Sequence, residues 1–167
     1  MAKSVGKIFE RFMRMDDATW ARHANPLSGW SRLSILPLLA LAIWSREWLD
    51  WWALVSVALV LLWNWINPRL FKVPLSTNSW MSQGVMGERY WIASKEVPIP
   101  KHHTQVTRVL IVFIGIGVAL LALGLWQLDL YLTLVGLVIS MGGKLWFLDR
   151  MVWLFHDMTP TEGNEDR

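Results

Sequence analysis

The sequence contains no cysteine. Its absence excludes disulfide bonds, thiolate nucleophiles, iron–sulfur clusters and thiolate-bound zinc. Histidine is scarce as well, with four in 167 residues, and no side chains follow the H-x-x-x-H or E-x-x-H spacing. That number is too small for a histidine-rich di-iron site in a membrane protein. A metal centre in this protein would therefore combine imidazole with carboxylate ligands.

Charged residues are missing from several long stretches, most clearly from residues 109–126 (VLIVFIGIGVALLALGLW). About 18 uncharged apolar residues in a row predict a transmembrane helix. The hydrophobic content of 54% agrees with a membrane protein. The predicted spans contain no chain of acids or histidines, which argues against a proton pump or an ion-coupled transporter.

The apolar pattern predicts an all-α integral membrane protein with four transmembrane helices arranged as two hairpins. The spans cover about residues 29–48, 49–66, 108–126 and 130–148. Pro37 is expected to kink the first span, and the fourth helix is expected to continue to about His156. A cytoplasmic loop, residues 67–107, joins the two hairpins and forms a polar cap on them.

Small residues four apart predict close packing of the last two spans, because they let helix backbones approach each other. The pairs are Gly115 with Ala119 and Gly136 with Ser140.

Both ends of the chain are expected to lie outside the four-helix membrane domain. Residues 5–15 place apolar and basic side chains on opposite helical faces. This pattern predicts an amphipathic helix, either in the membrane interface or packed on the protein's own cytoplasmic surface. Asp16 or Asp17 offers an N-cap for a short turn through Trp20. The chain thus divides into an arm (1–28), the membrane domain (29–158) and a disordered tail (159–167).

Positive charge falls almost entirely on one side of the predicted membrane. Of the 16 lysines and arginines, only Arg46 belongs to a segment on the far side. Basic residues favour the cytoplasmic side, so both termini are expected in the cytoplasm and the protein in the inner (plasma) membrane. Tryptophans mark the two interfaces: Trp44, Trp48, Trp51, Trp52 and Trp126 outside, and Trp30, Trp63, Trp65, Trp146 and Trp153 inside.

Polar side chains from several segments collect at the inner face, and three interpretations stay open. The first is a catalytic or metal site formed by His23, His102 or His103 with Glu88 or Asp149, since imidazole with carboxylate suits zinc, iron or manganese. The second is a site for an anion or a lipid headgroup, because arginine recognises phosphate. Its residues are Arg22, Arg69, Arg89, Lys144 and Arg150.

The third interpretation is structural. Asp149 would pair with Arg150, and Glu88 with Arg89, so that the loop folds onto the helices. The Asn25-Pro26 and Asn67-Pro68 steps would begin turns at the cytoplasmic ends of the first two spans.

Five segments together are similar to those of a known protein family. They are DDATWARHANPLSGWSR (16–32), NPRLF (67–71), GERYW (87–91), VPIPKHH (97–103) and GKLWFLDRMVW (143–153). Over about residues 10–158 the chain resembles a family of small microbial integral-membrane proteins known only as a domain of unknown function. The resemblance implies the same four-span organisation and transfers no catalytic residue or cofactor.

These observations favour a small accessory or scaffold protein, or a lipid-headgroup-binding protein, with a polar cytoplasmic cap. The alternative is a small membrane enzyme acting on a lipid-like or anionic substrate through a His/Glu/Asp/Arg site, with or without a metal. A transporter or channel formed by oligomers is the third. The expected partners are the bilayer, anionic headgroups, and a membrane protein or a second copy of the chain, but not nucleic acid. Whether the protein is an enzyme stays open, as does any cofactor.

Overall fold

The computed structural model describes residues 17–94 and 96–159, which form helices and contain no strand. This confirms the predicted all-α class. The helices are α1 (Asp17–His23), α2 (Pro26–Leu33), α3 (Ile35–Trp44), α4 (Arg46–Leu49), a 3-10 turn (Asp50–Trp52), α5 (Ala53–Leu70), α6 (Trp80–Ile92), α7 (Lys101–Gln127) and α8 (Leu130–Met158). The predicted helix at residues 5–15, Asp16, and the tail after Thr159 lie outside the described residues.

Three helical segments are long and apolar enough to cross a membrane: Pro26–Leu70, Lys101–Gln127 and Leu130–Met158. The first contains both of the first two predicted spans, and it is interrupted at residues 45–52, after which α5 packs back against α3. The helices α7 and α8 have 27 and 29 residues. At 1.5 Å per residue each is about 40 Å long or more, which exceeds the ~30 Å hydrocarbon core. Both helices are therefore longer than a membrane span requires, and the predicted continuation of the last helix to about His156 is present.

The helices α7 and α8 form an antiparallel pair whose backbones touch along a seam of small residues. At three points a Cβ added to a glycine would overlap the backbone of the other helix. The facing pairs are Gly117 with Ser140, Gly124 with Thr133, and Gly136 with Leu121. The Gly136 and Ser140 prediction is thereby confirmed.

The prediction for α7 placed the seam on the wrong face. A Cβ added to Gly115 would meet nothing within 4 Å, and Ala119 is exposed. Gly117 lies two residues beyond Gly115, which is about 200° around the helix. The α7 seam therefore consists of Gly117, Leu121 and Gly124.

The first predicted span is interrupted at Ser34, three residues before Pro37. Helix α2 ends at Leu33 and α3 begins at Ile35, so Pro37 lies in the first turn of α3. A helical proline has no N–H for the carbonyl four residues earlier and its ring clashes with that carbonyl. For Pro37 that residue is Leu33, so the interruption lies where the proline is expected to disturb the helix.

The predicted loop at residues 67–107 is largely helical. Helix α5 continues to Leu70, α7 already begins at Lys101, and α6 lies between them. The small residues Gly84 and Gly87 let α6 approach α8 closely, since a Cβ on Gly87 would overlap the Met151 carbonyl group. Packing against α8 thus stabilises a helix that the sequence pattern did not predict.

The two short connections lie together at one end of the molecule. The Arg46 guanidinium, in the turn between α3 and α5, donates hydrogen bonds to the Leu125 and Trp126 carbonyls at the end of α7. The opposite end contains residues 17–34, 67–94, 96–107 and 144–159, and we call it the polar end. All of the site residues predicted from the sequence belong to it.

Candidate functional site

His23, at the end of α1, belongs to a buried hydrogen-bond network at the polar end. The residue is only 7% exposed, and its Nδ1 lies 3.2 Å from Ser28 Oγ. The Ser28 hydroxyl donates its proton to Asn67 Oδ1 at 3.0 Å. Because a hydroxyl has a single proton, Ser28 must accept from His23, and the proton of the ring therefore resides on Nδ1.

The other ring nitrogen of His23 faces a positive charge. Its Nε2 lies 3.2 Å from Arg32 Nη1, and a guanidinium can only donate. Burial, the charge of Arg32 and that of Lys144 lower the pKa of His23 well below the usual value of an imidazole. The ring is neutral with both nitrogens bonded, so it offers no free nitrogen to a substrate or a metal.

Asn67 connects this network to α5. The residue is fully buried in the last turn of α5, where it accepts from Ser28 and donates through Nδ2 to Ser31 Oγ at 2.7 Å. The prediction that Asn67-Pro68 begins a turn is wrong, because the asparagine amide is used to join α5 to α2.

The Asn25-Pro26 step does begin a helix, as predicted. Asn25 is the N-cap of α2, and its Oδ1 accepts from the Leu27 backbone nitrogen at 3.0 Å. Its Nδ2 also donates to the Lys72 carbonyl at 3.0 Å, which ties the segment after α5 to this corner.

Charged side chains at the polar end are paired between helices. Lys144 Nζ on α8 donates to Glu88 Oε1 on α6 at 3.0 Å and lies 4.9 Å from the Phe147 ring centroid. Arg89 pairs instead with Asp17 of α1. The predicted Glu88–Arg89 pair is wrong, because Glu88 binds Lys144 of α8 and Arg89 binds Asp17 of α1.

The predicted pair of Asp149 and Arg150 is confirmed, with Arg150 Nη2 donating to Asp149 Oδ2 at 2.6 Å. The guanidinium also lies 5.0 Å from the Trp153 ring centroid. Arg69 is 4.3 Å from the Trp65 ring centroid and donates to the Trp65 carbonyl. Among the basic residues proposed for an anion site, Lys144, Arg89 and Arg150 thus each bind a different internal carboxylate, whereas the Arg22 side chain is exposed.

A second group of histidines lies where α7 begins and α8 ends. His103 Nε2 is 2.7 Å from Asp157 Oδ2, and His102 Nε2 is 3.5 Å from the same oxygen. The two rings lie with centroids 4.1 Å apart. The structure does not bring Glu88 or Asp149, the predicted carboxylate partners, to these histidines as ion-pair partners; Asp157 takes that place.

Four partners of the predicted site residues were not assigned to a site from the sequence. They are Asp17, Ser28, Arg32 and Asp157. Ser28 gave a weak signal, since it is a polar residue at the edge of an apolar stretch. The structure separates the predicted catalytic residues among the His23 network, the Lys144–Glu88 and Asp149–Arg150 pairs, and the His102–His103–Asp157 group.

Comparison with known proteins agrees with the resemblance seen in the sequence. The model of a protein family described as a family of unknown function matches residues 4–167. No curated protein and no solved structure matches the chain. The comparisons therefore assign no role to any residue, and function has to be inferred from the geometry.

Proposed function

The chain belongs to the DUF6653 family of unknown function, and we propose that it acts as a four-span accessory or scaffold protein of the inner membrane. In this proposal the polar end faces the cytoplasm and serves as a rigid cap rather than as an active site. The exposed apolar helix faces contact lipid and a membrane-protein partner.

Four spans are favoured by the packing on either side of the interruption at residues 45–52. Helix α5 packs against α3, and its 18 residues measure about 27 Å at 1.5 Å per residue, close to the ~30 Å hydrocarbon core. Exposed tryptophans lie at both ends of the helices, in agreement with interfacial anchoring. They are Trp48, Trp51, Trp52 and Trp126 near the short connections, and Trp30, Trp65, Trp146 and Trp153 toward the polar end.

The observation that best supports a scaffold is the internal pairing of the polar end. His23, Glu88 and Asp149 bind Arg32, Lys144 and Arg150 respectively. Within residues 17–94 and 96–159, the Ser94 hydroxyl is the one buried side-chain polar atom that lacks a hydrogen-bond partner. Of these three residues His23 is buried, and the carboxylates of Glu88 and Asp149 are each held by a cation of the same chain, which favours a structural role over a catalytic one.

The apolar surface supports the second half of the proposal. Helix α5 exposes a series of leucines. Of the 18 most apolar consecutive residues of Pro26–Leu70, only 6% are buried within the protein. The exposed leucines are Leu54, Leu59, Leu61 and Leu62. Such a surface requires either lipid or a second membrane protein to cover it.

The topology is tested with reporter fusions after Arg167 and at Glu47. We expect a reporter that works only in the cytoplasm to be active after Arg167, and one that works only after export to be active at Glu47. An exported C-terminus would overturn the orientation.

The scaffold role is tested by purification from native membranes in a mild detergent. We expect one membrane protein at fixed stoichiometry, and we expect the same protein to be captured by a photo-crosslinking residue at Leu59. A monomer that captures only lipid would contradict the scaffold role. Capture of the chain itself would instead favour an oligomeric transporter or channel.

A further inference from the structure

We propose that His102, His103 and Asp157 form a binding site for one divalent first-row transition-metal ion, with Zn²⁺ as the reference ion. The site joins the first turn of α7 to the last turn of α8. It goes beyond the scaffold function and does not depend on it.

The ligand atoms already lie at distances close to those of a metal site. One ligand atom from each residue falls within 4.8 Å of the other two. With metal–nitrogen bonds of about 2.0–2.1 Å, two ligands of a tetrahedral zinc are about 3.3 Å apart. The Asp157 Oδ2 lies 2.7 Å from His103 Nε2 and 3.5 Å from His102 Nε2, on either side of that value. Small rotations of the three side chains are sufficient to bring all three ligand atoms to bonding distance from one ion.

Asp157 differs from three other acids of the polar end in its partners. Asp17, Glu88 and Asp149 are each neutralised by a lysine or an arginine. In the part of the chain that the structure describes, the ion-pair partners of Asp157 are the two histidines alone. An imidazole nitrogen can join a carboxylate oxygen as a metal ligand, whereas a guanidinium or an ammonium group only donates and cannot.

The ligand set also selects the class of ion. Two imidazoles and one carboxylate suit zinc, cobalt, nickel, copper and iron, whereas calcium and magnesium prefer oxygen ligands. Three protein ligands leave a fourth position open, as in zinc sites that bind water. The side chains of His102 and Asp157 are 67% and 45% exposed, so that position faces solvent. His103, with a side chain only 6% exposed, is the buried ligand.

The test is a Zn²⁺ titration of the full chain in lipid nanodiscs after treatment with a chelator, using an affinity tag without histidine. We expect one Zn²⁺ per chain. We expect His102→Ala and Asp157→Asn each to raise the Kd at least about tenfold, because each removes a direct ligand. Co²⁺ should give visible d–d absorption in the wild-type protein and lose it in both variants.

His156→Ala is the matched control, because His156 lies next to Asp157 on α8 and binds Gln83 instead. It should leave the Kd within about twofold of the wild-type value, since it removes no ligand. His102→Ala keeps the test valid if Asp157→Asn disturbs folding, because the His102 side chain is largely exposed.

Two results would overturn the proposal. One is a folded wild-type protein that binds no Zn²⁺, which would leave the three residues as a hydrogen-bonded ion pair. The other is an equal Kd in the wild type, His102→Ala and Asp157→Asn, which would place the bound ion elsewhere. Neither result bears on the scaffold function, which depends on other residues.

Discussion

Two groups of histidines lie at the same end of this protein and differ in the sign of their neighbours. His23 is buried between a hydroxyl and the positive guanidinium of Arg32, which leaves the ring neutral and both nitrogens occupied. His102 and His103 instead share the negative Asp157, and His102 is mostly exposed. The comparison shows that location in a polar layer does not decide what a histidine does. The charge of its partner and its access to solvent decide it.

The difference assigns separate roles to the two groups. The His23 network joins α1, α2 and α5 and is expected to matter for stability. The His102–His103–Asp157 group is expected to matter for binding an ion. Substitutions in each group should therefore affect stability and ion binding differently.

The largest effect is expected from Asn67→Leu. The substitution removes both hydrogen bonds of the Asn67 amide and leaves the buried Ser28 hydroxyl without an acceptor, at a cost of about 3 kcal/mol in total. Thermal unfolding in detergent measures the loss. Asn64→Leu is the control, since Asn64 lies one turn earlier on α5 and is only half-buried. Equal losses in the two variants would mean that the network adds no stability.

The second effect is stabilisation by Zn²⁺. At a concentration of about 100 times the Kd, an ion that binds only the folded state adds about 2.7 kcal/mol. We expect this gain in the wild type and in His23→Gln. In His102→Ala at the same Zn²⁺ concentration we expect a gain at least about 1.3 kcal/mol smaller, because the Kd is at least about tenfold higher. Differential scanning fluorimetry measures both. A gain that disappears in His23→Gln and persists in His102→Ala would reverse the two assigned roles.

The third effect is a dependence of stability on pH that originates from His23. In the unfolded chain an imidazole takes up a proton below about pH 6.5, whereas the buried, positively flanked ring has a pKa well below that value and stays neutral. The unfolded state then binds more protons, so stability is complete above about pH 6.5 and falls as the pH decreases toward the folded pKa, by up to about 1.4 kcal/mol per pH unit.

Denaturation of the wild type and of His23→Gln between about pH 7.5 and pH 5 isolates this contribution, because other groups titrate in both proteins. The difference in unfolding free energy should change across that range. If the unfolding free energies of the two proteins changed in parallel with pH, His23 would take up its proton as readily in the folded state as in the unfolded state.

The smallest effect is expected from His102→Ala without metal. The exposed ring lies 3.5 Å from Asp157, a weak pair in solvent, so the unfolding free energy should change by less than about 0.5 kcal/mol. Chemical denaturation in the presence of a chelator measures it. A loss as large as that of Asn67→Leu would make the second group structural as well.

The long helices could be predicted from the sequence because their signal is local. The uncharged stretch at residues 109–126 lies inside α7, and the predicted continuation of α8 toward His156 is present. Helix α6 could not be predicted in this way. Its stability depends on contact with α8 through Gly84 and Gly87, which are far from α8 in the sequence.

The candidate sites show the same limit. The sequence singled out His23, His102 and His103, but their partners Arg32 and Asp157 become neighbours only through the corner between α1 and α2 and the antiparallel pairing of α7 with α8. Adjacent side chains on a helix point about 100° apart, yet at the first turn of α7 both histidine rings reach one oxygen of Asp157. The spacing of residues along a helix describes the direction of Cβ atoms and not the reach of long side chains.

The seam between α7 and α8 has a mechanical consequence. Gly117 and Gly124 are seven residues apart, as are Thr133 and Ser140 on the facing helix. This is the spacing of one heptad, which keeps one face of each helix against its partner. Sliding one helix along the other by a single residue would bring the glycines opposite larger side chains, and the next glycine is about 10 Å away at 1.5 Å per residue. The contact is therefore expected to resist sliding, so that α7 and α8 move as one unit.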